Sequence, residues 1–556
     1  MATVSSSVAG ERFYTFPSRK RGFIVLSLAL AMLVFSCTQV FSQEGSTVAG
    51  VTVGLVVDTA VSADKVALSV KDNTTAINIM WMLLCGFLVF FMQAGFALVE
   101  TGFTRTKNVA HTMMMNMMVF CIGAIGYWLV GFAFQFGSVN ETYPTVATVG
   151  AIAGEWAHSP ITLGDWGSLL STSLLKLGQW GFIGGSGFLL VGLGGNTGIL
   201  AYFLFQMVFM DTAATIPTGS MAERLKFSGF VIMGLWVSMI VYPIAGNWVW
   251  GGGWLQNLGR IAGLGNGAVD FAGSGVVHMI GGSVAFAGAI VIGPRIGRFN
   301  ADGSANALPG HNIPLGILGT IILFFGWFGF NPGSSLAFVG SGGQLAANAA
   351  VNTLIAGAVG GCVAMFFMWW FGPSKKPDPS MSVNGVLAGL VAITASCAFV
   401  DSIGAMIIGS VAGIIVCLIS FALEKLHIDD PVGAIPVHFA NGCWGVLATG
   451  LFANGNPASD GWNGVAGTVR GLFYGNGGQF LAQLAEAFSI IVFVFGLSLA
   501  FFKVLSAFKL LRSDPHDEIQ GLDVPEMGSL GYNNVDIRMH GARLTPQVPH
   551  ILGRKN

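Results

Sequence analysis

The sequence predicts an all-α polytopic membrane protein, eleven transmembrane helices with an inverted five-helix repeat around a pore. Three observations carry this prediction. Hydrophobic residues make up 53% of the 556 and charged residues only 9%, and mean hydropathy is +0.71; a soluble chain of this length needs far more charge. Eleven apolar segments follow one another after residue 76. One pattern occurs twice: Asp270 to Gly282 reads DFAGSGVVHMIGG and Asp430 to Gly442 reads DPVGAIPVHFANG, each an acid followed by Val-His and then glycine. The 80 glycines suit closely packed spanning helices. A net charge of -1 and the lack of a phosphate-binding glycine loop argue against a nucleic-acid or nucleotide partner.

Taken in order, Arg19, Lys20 and Arg21 precede an apolar run from Phe23 to Phe35, and Val40 and Ser42 offer the small residues a signal peptidase prefers. Residues 1–42 therefore read as a signal peptide and 43–76 as a short external segment. The membrane domain covers 77–511, with spans near 77–101, 110–136, 197–220, 228–250, 271–293, 312–331, 344–371, 383–399, 403–424, 431–453 and 479–509. The glycine-rich run from Gly178 to Gly194 is excluded as a twelfth span by charge. With eleven spans, Arg105, Lys107, Arg224, Lys226, Arg295, Arg298, Lys375, Lys376 and Lys425 share one side, against Lys176, Arg260 and Arg470 on the other. This places the mature N-terminus outside a plasma or inner membrane and the tail, 512–556, in the cytoplasm. Cys85, Cys121, Cys362, Cys397, Cys417 and Cys443 sit in apolar segments without metal-site spacing and read as small core residues.

If both copies of the repeat are helical, a rise of about 1.5 Å per residue puts each histidine roughly 12 Å from its acid, in the middle of a hydrocarbon core about 30 Å thick. Polar side chains at that depth are costly and usually functional. The fifth span runs inward and the tenth outward, so His278 and His438 approach the midplane from opposite faces, as an inverted repeat with a site at its interface requires. Holding a metal with an acid is disfavoured, because Asp270 and Asp430 each lie two turns from their histidine. His111, in the second span, has no evident partner and reads as structural.

The run DFAGSGVVH, NWVWGGGW before it, AERLKFSGF from Ala222, GWFGFNPGS from Gly326 and PVHFANGCWG from Pro436 resemble the ammonium transporter family, the Amt, Mep and Rh superfamily, in its bacterial form. The likeness extends from residue 77 to about 525. It implies eleven helices around a narrow pore, one pore per subunit of a homotrimer, no cofactor and no enzymatic activity. It further implies that His278 and His438 are the paired pore histidines and that Phe209 and Phe330 are the stacked rings gating the outer vestibule. Trp250 and Ser334 would be the aromatic wall and hydroxyl of the external ammonium site, and Asp270 the acid supporting that site from outside the pore. The tail stretch DEIQGLDVPEMG resembles the family's regulatory tail, which packs beneath the neighbouring subunit and in bacteria cooperates with a PII signalling protein. Pro525 stands where plant members carry a phosphorylated threonine.

Physical chemistry leads to the same residues. Taking a bare ammonium ion into a low-dielectric core costs many kcal/mol, whereas Trp250 offers a cation–π face and Ser334 an acceptor oxygen while the ion is still partly wet. Deeper in, a dry pore favours neutral species, and imidazoles exchange protons through their ring nitrogens. The expected function is ammonium recruitment outside, deprotonation, and separate passage of ammonia and proton. An ammonium sensor on the same fold and an electroneutral ammonia channel are the alternatives. Asp211 departs from the pattern: about 20 Å along the third helix by the same rise and turned away from Phe209, it is expected to find a hydroxyl or amide partner and to be structural.

Overall fold

The computed structural model describes residues 63–139 and 169–532. The expected signal peptide, the external segment up to residue 62 and the end of the tail lie outside the described residues. From Asp64 onward they belong to one compact unit. It is built from helices α1 (Ala63–Phe103), α2 (109–136), α3 (Thr197–Ser220), α4 (Phe227–Trp250), α5 (Ser274–Ile292), α6 (Ile313–Phe330), α7 (Ser341–Phe371), α8 (Pro379–Ile393), α9 (Ser402–Lys425), α10 (435–452) and α11 (Gly477–Ala507). Among the described residues nine helices are long and apolar enough to cross a membrane. The other two expected segments are occupied by α8, which has 15 residues, and by α10, whose first turns are π-helical. Helix α1 begins upstream of the expected boundary at 77.

Local chemistry starts these helices. Asn196, Asn312, Asp378, Asp401 and Asn476 each accept a backbone N–H of the first turn of α3, α6, α8, α9 and α11, a contact worth about 1 kcal/mol apiece. The run excluded as a twelfth span opens with the second strand of an antiparallel hairpin, β1 (Ser173–Leu177) and β2 (Trp180–Gly184). Gly178, at φ +62°, supplies the left-handed turn position between them.

Glycine sets the close approach of α7, α8 and α9. A Cβ on Gly389 would lie 2.2 Å from the Ala356 carbonyl oxygen, one on Gly409 2.5 Å from the same oxygen, and one on Gly413 2.6 Å from the Gly360 oxygen. Such contacts need small residues, since in lipid no hydrophobic effect draws one apolar helix to another. Of the cysteines, Cys85, Cys397 and Cys417 are buried as expected, whereas Cys362 is exposed on the outer surface of α7.

One end of the bundle, here called the tail side, carries a buried ion network. Arg295 bonds Asp429 at 2.8 Å and Glu223 at 3.1 Å, and Arg105 pairs with Glu223. Arg224 donates to the carbonyls of Ser220, Gly293 and Asp429, closing the C-terminal ends of α3 and α5. The motif AERLKFSGF is thus an architectural joint. The tail folds onto this face as α12 (Pro515–Gln520) and α13 (Asp523–Met527). Its acids cap backbone amides of the same chain: Glu518 accepts Ile296 N–H at 2.6 Å, Asp523 accepts His111 N–H at 3.0 Å and Glu526 accepts Phe227 N–H at 2.9 Å.

Candidate functional site: a column of rings between two cavities

The repeated pattern folds twice in the same way. Asp270 accepts the amides of Gly273 at 2.8 Å and of Gly275 and Val276 at 2.9 Å. Asp430 accepts those of Gly433 and Ala434 at 3.1 Å and of Ile435 at 2.7 Å. In each copy the glycine three residues on, Gly273 or Gly433, takes a positive φ that lets the chain turn back under its acid. The turns that follow, Ser274–Met279 and Ile435–Ala440, are π-helical and contain the histidines. A uniform α-helix was expected there; π turns are frequent where a fold re-aims a functional side chain.

The two copies run in opposite directions. Asp270 borders a cavity at the end away from the tail side, here called the outer cavity for that position alone, with Trp250, Phe209, Gln206 and Ser334, while Asp429 and Asp430 adjoin Arg224 and Arg295. The copies cross at their terminal glycines: a Cβ on Gly442 would lie 2.6 Å from the Ser274 carbonyl oxygen, and one on Gly282 2.8 Å from the His438 carbonyl carbon.

His278 and His438 are brought together as expected, Nδ1 to Nδ1 at 3.2 Å, both buried. One ring must donate and the other accept, so the tautomer of one sets that of the other. Nε2 of His278 has no partner among the described residues. Rings continue on both sides. His278 stacks on Phe330 at 5.5 Å and on Trp327 at 5.2 Å, Phe330 on Phe209 at 4.0 Å, and Phe209 meets Trp250 edge-on at 6.1 Å. On the other side Phe96 lies 6.2 Å from His438. Phe209 and Phe330 close the column between the outer cavity and the histidines.

Ser334 donates its hydroxyl hydrogen to the Phe330 carbonyl at 2.8 Å, which leaves its oxygen as an acceptor at the outer cavity. Trp250 is oriented by donation of its indole N–H to the Asp270 carbonyl at 2.8 Å. Asp270 therefore acts on the site twice, through its carboxyl on the helix start and its carbonyl on the indole. It also contributes to the wall of the outer cavity.

Several residues escaped the sequence reading. Trp327, from α6, flanks His278 and bonds Thr394 at 3.0 Å. Gln206 lines the outer cavity one turn before Phe209. Two buried carboxyls belong to the interior: Glu486, bonded to Gln483 at 3.0 Å, and Glu100, bonded to Asn116 at 2.8 Å. A lone acid in an apolar run was the available signal for both. Asp211 has not found the expected partner: Oδ1 is buried without one among the described residues, because Thr212 donates its one hydroxyl hydrogen to the Val208 carbonyl and Thr215 donates its own to the Asp211 carbonyl. His111 is buried against Phe227, with neither ring nitrogen bonded among the described residues. No cluster of three metal-ligating side chains occurs among the described residues.

Fold and site together define a multi-pass membrane protein with a buried column of rings between two cavities. The model of the Ammonium Transporter Family matches residues 80–532. The chain belongs to the ammonium transporter family; it is not an enzyme. It is 41% identical to ammonium transporter Amt2 of Archaeoglobus fulgidus over 86% of this chain and 93% of that protein. It is 34% identical to ammonium transporter 1 member 3 of Solanum lycopersicum over 83% and 94%. Among solved structures, one described as a sensor Amt protein superposes with a TM-score of 0.67 at 34% identity, covering 82% of this chain and 99% of the other. Mep2 of Candida albicans, at 24% identity and a TM-score of 0.64, shares the fold.

Proposed function

We propose that the chain moves ammonium across the membrane by recruiting the ion at Trp250 and Ser334, removing its proton near the Phe209–Phe330 pair, and passing ammonia and proton separately along His278 and His438. The observation that carries this reading is the 3.2 Å contact between the two Nδ1 atoms, which lies on a column of rings between a cavity on each side. At the outer cavity the cation meets an indole face and an acceptor oxygen, both suited to N–H donors with positive charge. The stacked phenyl rings offer no group to replace its hydration, so the neutral species is favoured beyond them. The shared Nδ1 proton lets the histidines take up a proton at one Nε2 and give one up at the other, after which the tautomers reset.

In this reading all eleven helices cross the membrane, the tail side faces the cytoplasm of a plasma or inner membrane, and three copies assemble around separate pores. The docked tail offers its outward face to a PII-type partner. Reconstituted protein should accumulate methylammonium, and absence of flux from correctly assembled protein contradicts the proposal. A sensing role is the second reading, favoured by the 34% identity to a structure described as a sensor Amt protein. Ammonium binding without flux would support it.

A further inference from the structure

Glu100 stands in the last turn of α1, is 3% exposed and takes no part in the steps above. With Phe96 one turn earlier, it lines the cavity that His438, Val437 and Asn384 border on the tail side of the histidine pair. That cavity accommodates a water-sized guest. Its carboxyl is held in an unusual way. Oε2 accepts the Asn116 amide at 2.8 Å, and Thr218 Oγ1 lies 2.9 Å from Oε1 and 3.0 Å from Oε2. The same hydroxyl lies 2.6 Å from the Thr215 carbonyl oxygen.

A hydroxyl has one hydrogen, so two arrangements exist. With Glu100 ionised, Thr218 donates to the carboxylate. With Glu100 neutral, the acid donates to Thr218 Oγ1, and Thr218 turns its hydrogen to the Thr215 carbonyl. Rotation of one hydroxyl satisfies both protonation states. A purely structural carboxyl needs only one of them, and leaving a buried polar group unpaired in the other costs about 1–3 kcal/mol. The neighbouring titratable groups are Asp430 and His438. Asp430 is committed to three backbone amides and is not free to do the same. Gly219 leaves the room: a Cβ there would lie 2.5 Å from Val432 and 3.1 Å from Glu100 Oε1.

We propose that Glu100 is the proton acceptor on the tail side of the histidine pair. The inference rests on the transport reading above. The protonated pair gives one proton, through the guest in the cavity, to the Glu100 carboxylate; the pair returns to neutral and the carboxylate becomes the acid. Glu100 then releases the proton to water on the tail side, or to ammonia, which becomes ammonium there.

The test is current from ammonium pulses on reconstituted wild-type protein, Glu100→Gln, Glu100→Asp and Thr218→Val. Glutamine keeps the shape, still accepts from Asn116 and donates to Thr218, but holds no exchangeable acid. Its maximal current should fall at least about tenfold, the scale of a lost proton-transfer group, at unchanged half-saturating ammonium, because the outer site is intact. Aspartate should restore part of it, and Thr218→Val, which removes the rotating hydroxyl, should also lower it. Wild-type current in assembled Glu100→Gln, or in Thr218→Val should the first not assemble, overturns the role of Glu100. Absence of current in the wild-type protein overturns the transport reading instead.

Discussion

A Cβ placed on Gly282 would lie 2.3 Å from the amide nitrogen of Phe439, the residue after His438. The glycine that ends one copy of the repeat therefore sets how close the other copy's histidine segment can come, and Gly442 does the same in return against Ser274 and Met279. The 3.2 Å histidine contact depends on both absences of a side chain.

Gly282→Ala should separate α5 from α10. Overpacking of this kind costs about 1–3 kcal/mol. A lower melting temperature in detergent and loss of methylammonium uptake are expected; normal uptake would show that the histidine contact tolerates displacement.

Asp270→Asn keeps one acceptor oxygen but turns an amide NH2 toward N–H groups that the carboxylate accepts. The start of α5 loses charge-assisted bonds worth about 1.5–3 kcal/mol each, and with them the position of the carbonyl that orients Trp250. Transport should fall while the protein still assembles, measured as uptake alongside size-exclusion profile. Unchanged uptake would limit Asp270 to a replaceable cap.

Asp429 predicts a pH dependence of stability. Burial alone would raise its carboxyl, but Arg224 and Arg295 outweigh this and hold it well below the usual carboxylate range. A depressed folded-state value means the stabilisation is present above the unfolded value of about 3.9 and disappears as pH falls through the folded one. Melting temperature should therefore be insensitive to this group at neutral pH and drop only below about pH 4. Asp429→Asn, leaving Arg295 with one acid fewer, should cost about 3–5 kcal/mol at pH 7, and a loss under 1 kcal/mol would contradict the account.

Asp211→Asn should assemble and transport nearly normally, because no hydrogen bond to its carboxyl is seen among the described residues. Loss of ammonium current in intact protein would put Asp211 on a conduction route.

The parts of this architecture legible in sequence are those written locally. Asp270, His278 and Gly282 recur as Asp430, His438 and Gly442 at identical spacing, and the helices announce themselves by apolar length. What was not legible depends on packing between distant segments. Glu100 stands out in sequence only as a lone acid at the end of an apolar run, and its surroundings form when α3 and α10 close around it; the π turns at 274–279 and 435–440 have no periodic signature of their own. The expectation for Asp211 failed for a local reason: in a helix, threonine hydroxyls donate readily to the carbonyl four residues back, and both Thr212 and Thr215 do so.

The most direct measurement of the central claim is charge movement on an ammonium pulse in proteoliposomes, comparing wild-type protein with Phe209→Ala, His278→Leu and His438→Leu in assembled form. The account predicts a saturable current in the wild type and its loss in each histidine variant, because a leucine cannot carry the proton between the two cavities. Wild-type current persisting without either imidazole would contradict it.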